Sequence, residues 1–211
     1  MKQYTTESIG TFLFVFSVAL AVANPGALAP LAIGGALTSL VYMGGPISGG
    51  HYNPAVTLAV LLRGKIGGRE ALSYVLAQMV GAAVGAAVAS LVTHQAFVAA
   101  PADPTSVAAA LVVEVLFTFF LALVVLNTAT DEAVAGNSYY GLAIGLTVMV
   151  AGFAGGPISG GAFNPAVGVG PAIAAAGFVP IDHVWIYAIG PLLGGALASL
   201  AYGGLHPAES Y

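Results

Sequence analysis

One stretch of the sequence occurs twice: residues 44–56 read GGPISGGHYNPAV, and residues 155–167 read GGPISGGAFNPAV. Eleven of the 13 positions are identical, at an offset of 111 residues. Matches elsewhere extend the repeat, because Glu7 in the first half corresponds to Glu114 in the second. We therefore divide the chain into two related halves, at about residues 1–100 and 101–211.

The composition indicates what surrounds this repeat. Only 12 of the 211 residues are Lys, Arg, Asp or Glu, whereas a soluble domain carries roughly a quarter charged residues. Apolar residues make up 59% of the chain, so we expect its exterior to contact lipid. Four basic residues are too few for a patch that binds nucleic acid. The absence of cysteine excludes disulfides and thiolate metal sites.

Six uncharged runs are long enough to cross a bilayer, which needs about 20 apolar residues per helix. A β-barrel would require alternating polar and apolar residues, and runs such as 82–89 do not alternate. Residues 21–23 resemble a signal-peptide cleavage site, but no basic cluster precedes them and the first run has a counterpart in the second half. The six runs cover residues 8–24, 29–45, 70–93, 107–129, 138–154 and 183–204.

Two shorter runs, 54–62 and 165–175, each follow an Asn and begin with Pro-Ala. Asn is a preferred N-cap and Pro favours the first helical position, so each run begins a helix that is too short to span the bilayer. Each half then has three spans, and an odd number forces the second half to enter from the opposite side. The predicted fold class is an all-α membrane protein with six tilted transmembrane helices and two re-entrant half-helices. The inverted repeat would form one transmembrane domain over residues 1–211.

The basic residues predict the orientation of this domain. If the N-terminus is cytoplasmic, Lys2, Arg63, Lys65 and Arg69 all lie on the cytoplasmic side, as the positive-inside rule requires. With six spans, the C-terminus is then cytoplasmic as well.

The repeated stretch itself predicts a pore. Its glycines and prolines predict irregular backbone, which is tolerated at membrane depth only where it lines a cavity or is buried. The half-helices should meet near the midplane, each with about half a positive charge at its N-terminus. Asn53 and Asn164 would offer amide donors there, and the carbonyls of residues 47–50 and 158–161 would form a row of acceptors. This arrangement suits a single file of neutral polar molecules and disfavours cations.

A lone Asn-Pro-Ala motif is ordinarily a helix cap, but two copies in equivalent loops favour the pore. With these motifs the chain resembles the aquaporin (major intrinsic protein) family of water and glycerol channels. The resemblance covers essentially all 211 residues and rests on Asn53-Pro54-Ala55, Asn164-Pro165-Ala166, the preceding Ser-Gly-Gly-His segment, Glu7 and Glu114. It implies a pore in each subunit, a homotetramer in the plasma membrane, and no cofactor.

The two glutamates and one histidine have alternative interpretations. An ionisable group within a membrane is by default a functional candidate, so Glu7 and Glu114 could couple transport to protons. Their symmetric positions and the resemblance favour carboxylates that accept backbone hydrogen bonds and brace the loops. We expect His51 to be a further brace and not a metal ligand, because no second ligand lies at suitable spacing.

The chain departs from the family at the outer constriction. Four positions at the family's distances from the two Asn-Pro-Ala motifs hold Ile33, Gly152, Gly161 and Val167. Water-selective members usually have an aromatic residue at the first position, and almost all members have Arg at the last. The four residues here predict a wide, apolar selectivity filter without charge. Gly168 stands where glycerol channels usually carry Asp.

We therefore predict an aquaglyceroporin-like passive channel, not an enzyme. Its permeants would be water and small uncharged solutes, such as glycerol-like polyols, urea or neutral metalloid acids. A strictly water-selective channel is one alternative. A proton-coupled secondary transporter is another, since inverted repeats occur there too; such a carrier would saturate, whereas channel flux would rise linearly with solute concentration.

Overall fold

The computed structural model describes residues 1–24, 26–175 and 182–206. Its helices are α1 (Lys2–Ala23), α2 (Ala29–Ser48), α3 (Pro54–Leu62), α4 (Gly68–Thr93), α5 (Val107–Val125), α6 (Tyr140–Ser159), α7 (Pro165–Ala174) and α8 (Val184–Leu205). A π-helical turn, Leu126–Thr130, continues α5, and a 3₁₀ turn, Glu132–Val134, follows it. All helices except α3 and α7 are long and apolar enough to cross a membrane. The predicted all-α fold with six spans and two half-helices is confirmed.

The half-helices begin where the sequence predicts. Asn53 caps α3, its Oδ1 accepting from the Ala55 N–H at 2.8 Å, and Asn164 caps α7 by the same bond to Ala166 at 2.8 Å. With nine and ten residues, these helices are about 14 Å long, close to half of a 30 Å hydrocarbon core. Caps are local interactions, which is why the sequence alone places these helix starts.

The extent of the irregular backbone is a correction. The segments predicted to be irregular from residues 44 and 155 onward are helical as far as Ser48 and Ser159, with Pro46 and Pro157 inside the helices. Each proline removes one backbone N–H, so one hydrogen bond to the carbonyl four residues earlier is lost while the helix continues for two more residues. The helices end at glycines with φ of +88° and +90°, a conformation that favours glycine. Within the two repeated stretches, only residues 49–53 and 160–164 leave helical geometry.

Equivalent helices of the two halves cross through glycines. At Gly81 on α4, a Cβ would overlap the Ser8 carbonyl of α1, and at Gly194 on α8 a Cβ would overlap the Val115 carbonyl of α5. The helices α2 and α6 meet at Gly34, where a Cβ would lie 2.6 Å from a carbonyl oxygen of α6. Small residues allow such close approach between membrane helices. The bundle is therefore held by the same device in both halves.

The four basic residues lie at one end of the bundle. Tyr4 packs edge-on against Tyr74, with ring centroids 5.9 Å apart, so the starts of α1 and α4 are neighbours. This contact places Lys2 at the same end as the loop of residues 63–69.

Candidate pore and its lining

The N-termini of α3 and α7 meet through their capping asparagines. Asn53 Nδ2 donates to the carbonyl of Phe163 at 3.0 Å, and Asn164 Nδ2 donates to the carbonyl of Tyr52 at 2.9 Å. Each amide has two N–H groups, so one from each asparagine remains for the cavity that both side chains line. Of the four amide N–H groups on the two asparagines, two therefore bond between the repeats and only two remain available to the cavity.

The residue before each asparagine adopts a left-handed conformation. Tyr52 and Phe163 both have φ of +48°, which is uncommon for residues other than glycine. Burial of the two rings stabilises this geometry. The Tyr52 ring fills the space above Gly10 and Gly44, where a Cβ would overlap it, and the Phe163 ring packs on Phe117 at 5.4 Å. The turn directs the carbonyls of residues 52 and 163 at the opposite asparagines.

Glu7 contacts the first loop with both carboxylate oxygens. Oε1 accepts from the Ser48 hydroxyl at 2.6 Å and from the His51 N–H at 3.0 Å. Oε2 accepts from the Tyr52 N–H and from Gln78 Nε2, both at 2.8 Å. The side chain is fully buried, and buried carboxylates need such partners. Two backbone N–H groups that no helix satisfies therefore find an acceptor.

Glu114 makes the equivalent contacts in the second half. It accepts from the Ser159 hydroxyl at 2.7 Å, the Ala162 N–H at 3.0 Å and the Phe163 N–H at 2.6 Å. The position of Gln78 is taken in the second half by Pro191, which cannot donate. Within the described residues, the carboxylate of Glu114 therefore accepts three hydrogen bonds where that of Glu7 accepts four.

Several carbonyls expected along the pore bond to protein groups instead. The carbonyl of Ser48 accepts from the Tyr74 hydroxyl at 2.8 Å, and that of Ser159 accepts from the Tyr187 hydroxyl. The Ile158 carbonyl accepts from the Ala102 N–H at 3.1 Å. Three of the eight predicted acceptors therefore already have a protein partner.

A narrow cavity runs along the axis between the halves. Its polar wall consists of the two asparagines, His51 and the backbone of Gly49 and Gly50. The opposite wall is apolar and comes from the spanning helices: Phe14, Leu37, Leu121, Val125, Ile144 and Val148. The cavity leaves about 30 Å³ for the centre of a water-sized molecule, enough for one or two waters. The cavity thus fits a single file of small molecules.

His51 presents one ring nitrogen to this cavity. Its Nδ1 lies 3.1 Å from the Thr57 hydroxyl, which donates to the Asn53 carbonyl at 3.1 Å and accepts from Gln78 Nε2 at 3.0 Å. Because the hydroxyl has one proton, this network assigns Nδ1–H as the donor to Thr57. Nε2 of the neutral ring is then an acceptor. The three side chains form a polar cluster beside Glu7.

None of the four predicted filter residues is among those that line the cavity, although two of them lie one helical turn from residues that do. Ile33 is one turn from Leu37, and Gly152 is one turn from Val148. Gly161 has φ of +69°, so its identity follows from the backbone conformation. Val167 is 2% exposed. Its counterpart in the repeat, Val56, is 3% exposed and lines the cavity.

Gly168 has a packing explanation. A Cβ at this position would overlap Cβ of Tyr187, whose hydroxyl bonds to the Ser159 carbonyl. An aspartate does not fit here unless α8 moves. The residue that distinguishes glycerol channels in the sequence is therefore excluded in this chain by helix packing.

A model of the major intrinsic protein family matches residues 1–202. The chain belongs to this family. Among its relatives is "Glycerol uptake facilitator protein-like 6" of Lactiplantibacillus plantarum, 38% identical over 209 residues that cover 94% of this chain and 95% of the relative. Another is "Probable aquaporin TIP2-1" of Oryza sativa subsp. japonica, 39% identical over 223 residues that cover 96% and 87%.

The fold is shared with the solved aquaglyceroporin of Plasmodium falciparum. The TM-score is 0.85 with 23% sequence identity, and the match covers 95% of this chain and 94% of the other. At this identity the likeness concerns the fold alone.

Sequence reasoning missed several residues that hold the loops of this major intrinsic protein in place. Tyr74 and Tyr187 match in the repeat, and that match was the available signal for their shared contact with a serine carbonyl. Thr57 and Gln78 gave no such signal, because the second half has Gly168 and Pro191 at the equivalent positions.

Proposed function

We propose that this major intrinsic protein is a passive channel for water and small uncharged solutes. The observation that carries the proposal is the pair Asn53 and Asn164, whose free amide N–H groups face a cavity with an apolar opposite wall. The amide donors at the centre replace hydrogen bonds that a permeant loses with its hydration water. The apolar wall offers the permeant no other hydrogen-bond partner. The names of the relatives, a glycerol uptake facilitator-like protein and an aquaporin, support the same class.

The proposed selectivity filter consists of Ile33, Gly152, Gly161 and Val167. None of these four residues carries a charge or a side-chain donor. A fixed arginine would narrow the lumen and repel cations, whereas this ring would do neither. We therefore include polyols, urea and neutral metalloid acids among the permeants.

The proposed roles of Glu7, Glu114 and His51 are to brace the two loops. The support is their hydrogen bonding: each carboxylate accepts two backbone N–H groups and a serine hydroxyl. A carboxylate that shuttles protons would have to release these donors at every cycle. This cost disfavours the proton-coupled transporter.

We further propose that residues 1–211 form one channel domain that assembles as a homotetramer in the plasma membrane, without enzymatic activity or cofactor. Both termini would be cytoplasmic. The orientation rests on Lys2 and the loop of residues 63–69, which lie at the same end of the bundle.

Stopped-flow light scattering of proteoliposomes tests the proposal. Water, glycerol and urea gradients should each produce volume changes faster than in empty liposomes, with solute flux linear in concentration. Val148→Trp should abolish the flux because it fills the cavity. Leu146→Trp, two residues away and 44% exposed, is the matched control and should conduct normally.

The other outcomes contradict specific parts of the proposal. If solute flux equalled that of empty liposomes while water flux stayed fast, the protein would be a strictly water-selective channel. Saturating flux that responds to a proton gradient would show a carrier.

A further inference from the structure

A second concave surface lies on the outside of the bundle, away from the pore. This lateral groove runs between α3 and α4, where Leu58, Leu61, Val75 and Met79 form its walls. Pro54 and Pro165 form its inner end. The groove is lined almost entirely by apolar side chains. Its one hydroxyl, on Thr57, already donates to the Asn53 carbonyl.

The groove is as deep as one leaflet of a bilayer. It begins at Gly68, beside the loop that joins α3 to α4. It ends at the two prolines, which follow the asparagines that meet at the centre of the molecule. The distance from Gly68 to the two prolines corresponds to the length of α3, which has nine residues and is about 14 Å long. Half of a hydrocarbon core is about 15 Å thick. An acyl chain of one leaflet matches these dimensions.

Three of the four basic residues of the chain lie in the loop after α3 or in the first turn of α4, where the groove begins. Arg63 stacks on the Tyr202 ring at 4.6 Å, and Lys65 pairs with Glu132 at 3.0 Å. Arg69 follows Gly68 directly and is exposed. No ion pair within the described residues involves Arg69. Its guanidinium is therefore available to an anion at the depth where lipid headgroups lie.

We propose that the lateral groove binds one acyl chain of an anionic phospholipid, whose headgroup phosphate is held by Arg69. The N-terminus of α4 favours the same charge, because helix N-termini carry a partial positive charge. In the proposed orientation this lipid belongs to the cytoplasmic leaflet, where anionic lipids attract basic residues.

Charge also distinguishes the phospholipid from a second copy of the chain. A copy would have to place a carboxylate on Arg69. At this end of the described residues, Asp131 lies 3.8 Å from His206, Glu132 already pairs with Lys65, and Glu70, in the first turn of α4, interacts with the Tyr74 hydroxyl. A phosphate needs no such rearrangement, and arginine binds phosphate with a bidentate geometry.

Tryptophan quenching by brominated lipids tests the proposal in the full chain. The native tryptophan is removed by Trp185→Phe, and a reporter is placed in the groove by Leu72→Trp, at a residue that lines the groove and is 61% exposed. Bilayers contain brominated phosphatidylglycerol or brominated phosphatidylcholine. We expect the reporter to prefer phosphatidylglycerol about fivefold, the effect of one basic residue near a charged surface.

Two matched controls separate the groove from the general surface. Arg69→Gln should remove the preference, whereas Lys2→Gln removes the same charge from the same end and should retain it. A reporter at Leu76, on α4 but outside the groove lining, should be quenched equally by both lipids. Size-exclusion chromatography confirms that each variant is folded.

Three results would overturn the proposal. The Leu72→Trp reporter would be quenched equally by both lipids, or its preference would survive Arg69→Gln. Alternatively, neither lipid would quench it, which would mean that another protein surface covers the groove. None of these readings depends on whether the chain conducts water or solutes.

Discussion

Asn164 on α7 donates from Nδ2 to the carbonyl of Tyr52, 2.9 Å away in the other half of the chain. Asn53 makes the equivalent bond to Phe163 at 3.0 Å. The two asparagines therefore perform two tasks at once, since each caps its own half-helix and joins it to the opposite loop. The remaining amide N–H groups face the cavity only because these bonds fix the side chains.

Asn164→Asp should admit cations. The aspartate keeps the oxygen that caps α7 but loses the donor to Tyr52, and it adds a negative charge between two positive helix ends. We expect proton or sodium permeability to rise about tenfold, which corresponds to a barrier lowered by about 1.4 kcal/mol. A pH-sensitive dye inside proteoliposomes under a potassium-diffusion potential measures this change.

Asn137→Asp provides the control, because it adds the same charge in the segment between α5 and α6, outside the spanning helices. Equal proton entry through both variants would mean that the charge between the half-helices does not set the barrier.

Glu7→Gln should destabilise the fold. The amide replaces one acceptor oxygen with a donor that faces the N–H groups of His51 and Tyr52 and the other hydrogen-bond donors. Losing hydrogen bonds to a buried charge costs about 2 kcal/mol or more. The free energy of unfolding in a detergent titration checks this value. Glu132→Gln removes a carboxylate that is 81% exposed and should change stability by less than about 1 kcal/mol. Equal effects would argue against a bracing role.

Val167→Arg should reduce glycerol and urea flux more than water flux. A guanidinium at the proposed filter narrows the lumen to about the size of water and supplies donors. Val167→Met adds similar length without charge and should slow all permeants alike. Stopped-flow measurements on both variants provide the comparison. If arginine slowed water and glycerol by the same factor, Val167 would not line the constriction.

Gly168→Ala should lower the melting temperature, because its Cβ would overlap Tyr187. Overpacking of this kind costs about 1–3 kcal/mol. Gly35→Ala is the matched change within α2, where nothing lies within 4 Å of the new Cβ. It should be neutral or stabilise by up to about 1 kcal/mol, since alanine favours helix more than glycine. Thermal unfolding in detergent distinguishes the two, and similar melting temperatures would contradict the packing explanation for Gly168.

The sequence by itself determined the features that depend on local rules. Hydropathy located the six spans, the repeat required an inverted second half, and the Asn-Pro pairs located the starts of α3 and α7. The spans and the helix starts need only neighbouring residues, because caps and apolar runs act over a few positions, and the inversion needs only a comparison of the two halves of the sequence.

Only the tertiary structure decided how the loops are held. The continuation of α2 through Pro46 runs against the local prediction, and the partners of Glu7 lie 41 to 71 residues away in the chain. The Tyr187 side chain, whose Cβ excludes a side chain at Gly168, belongs to a different helix. Such contacts arise when distant segments pack in three dimensions, and a single sequence carries no local pattern that records them.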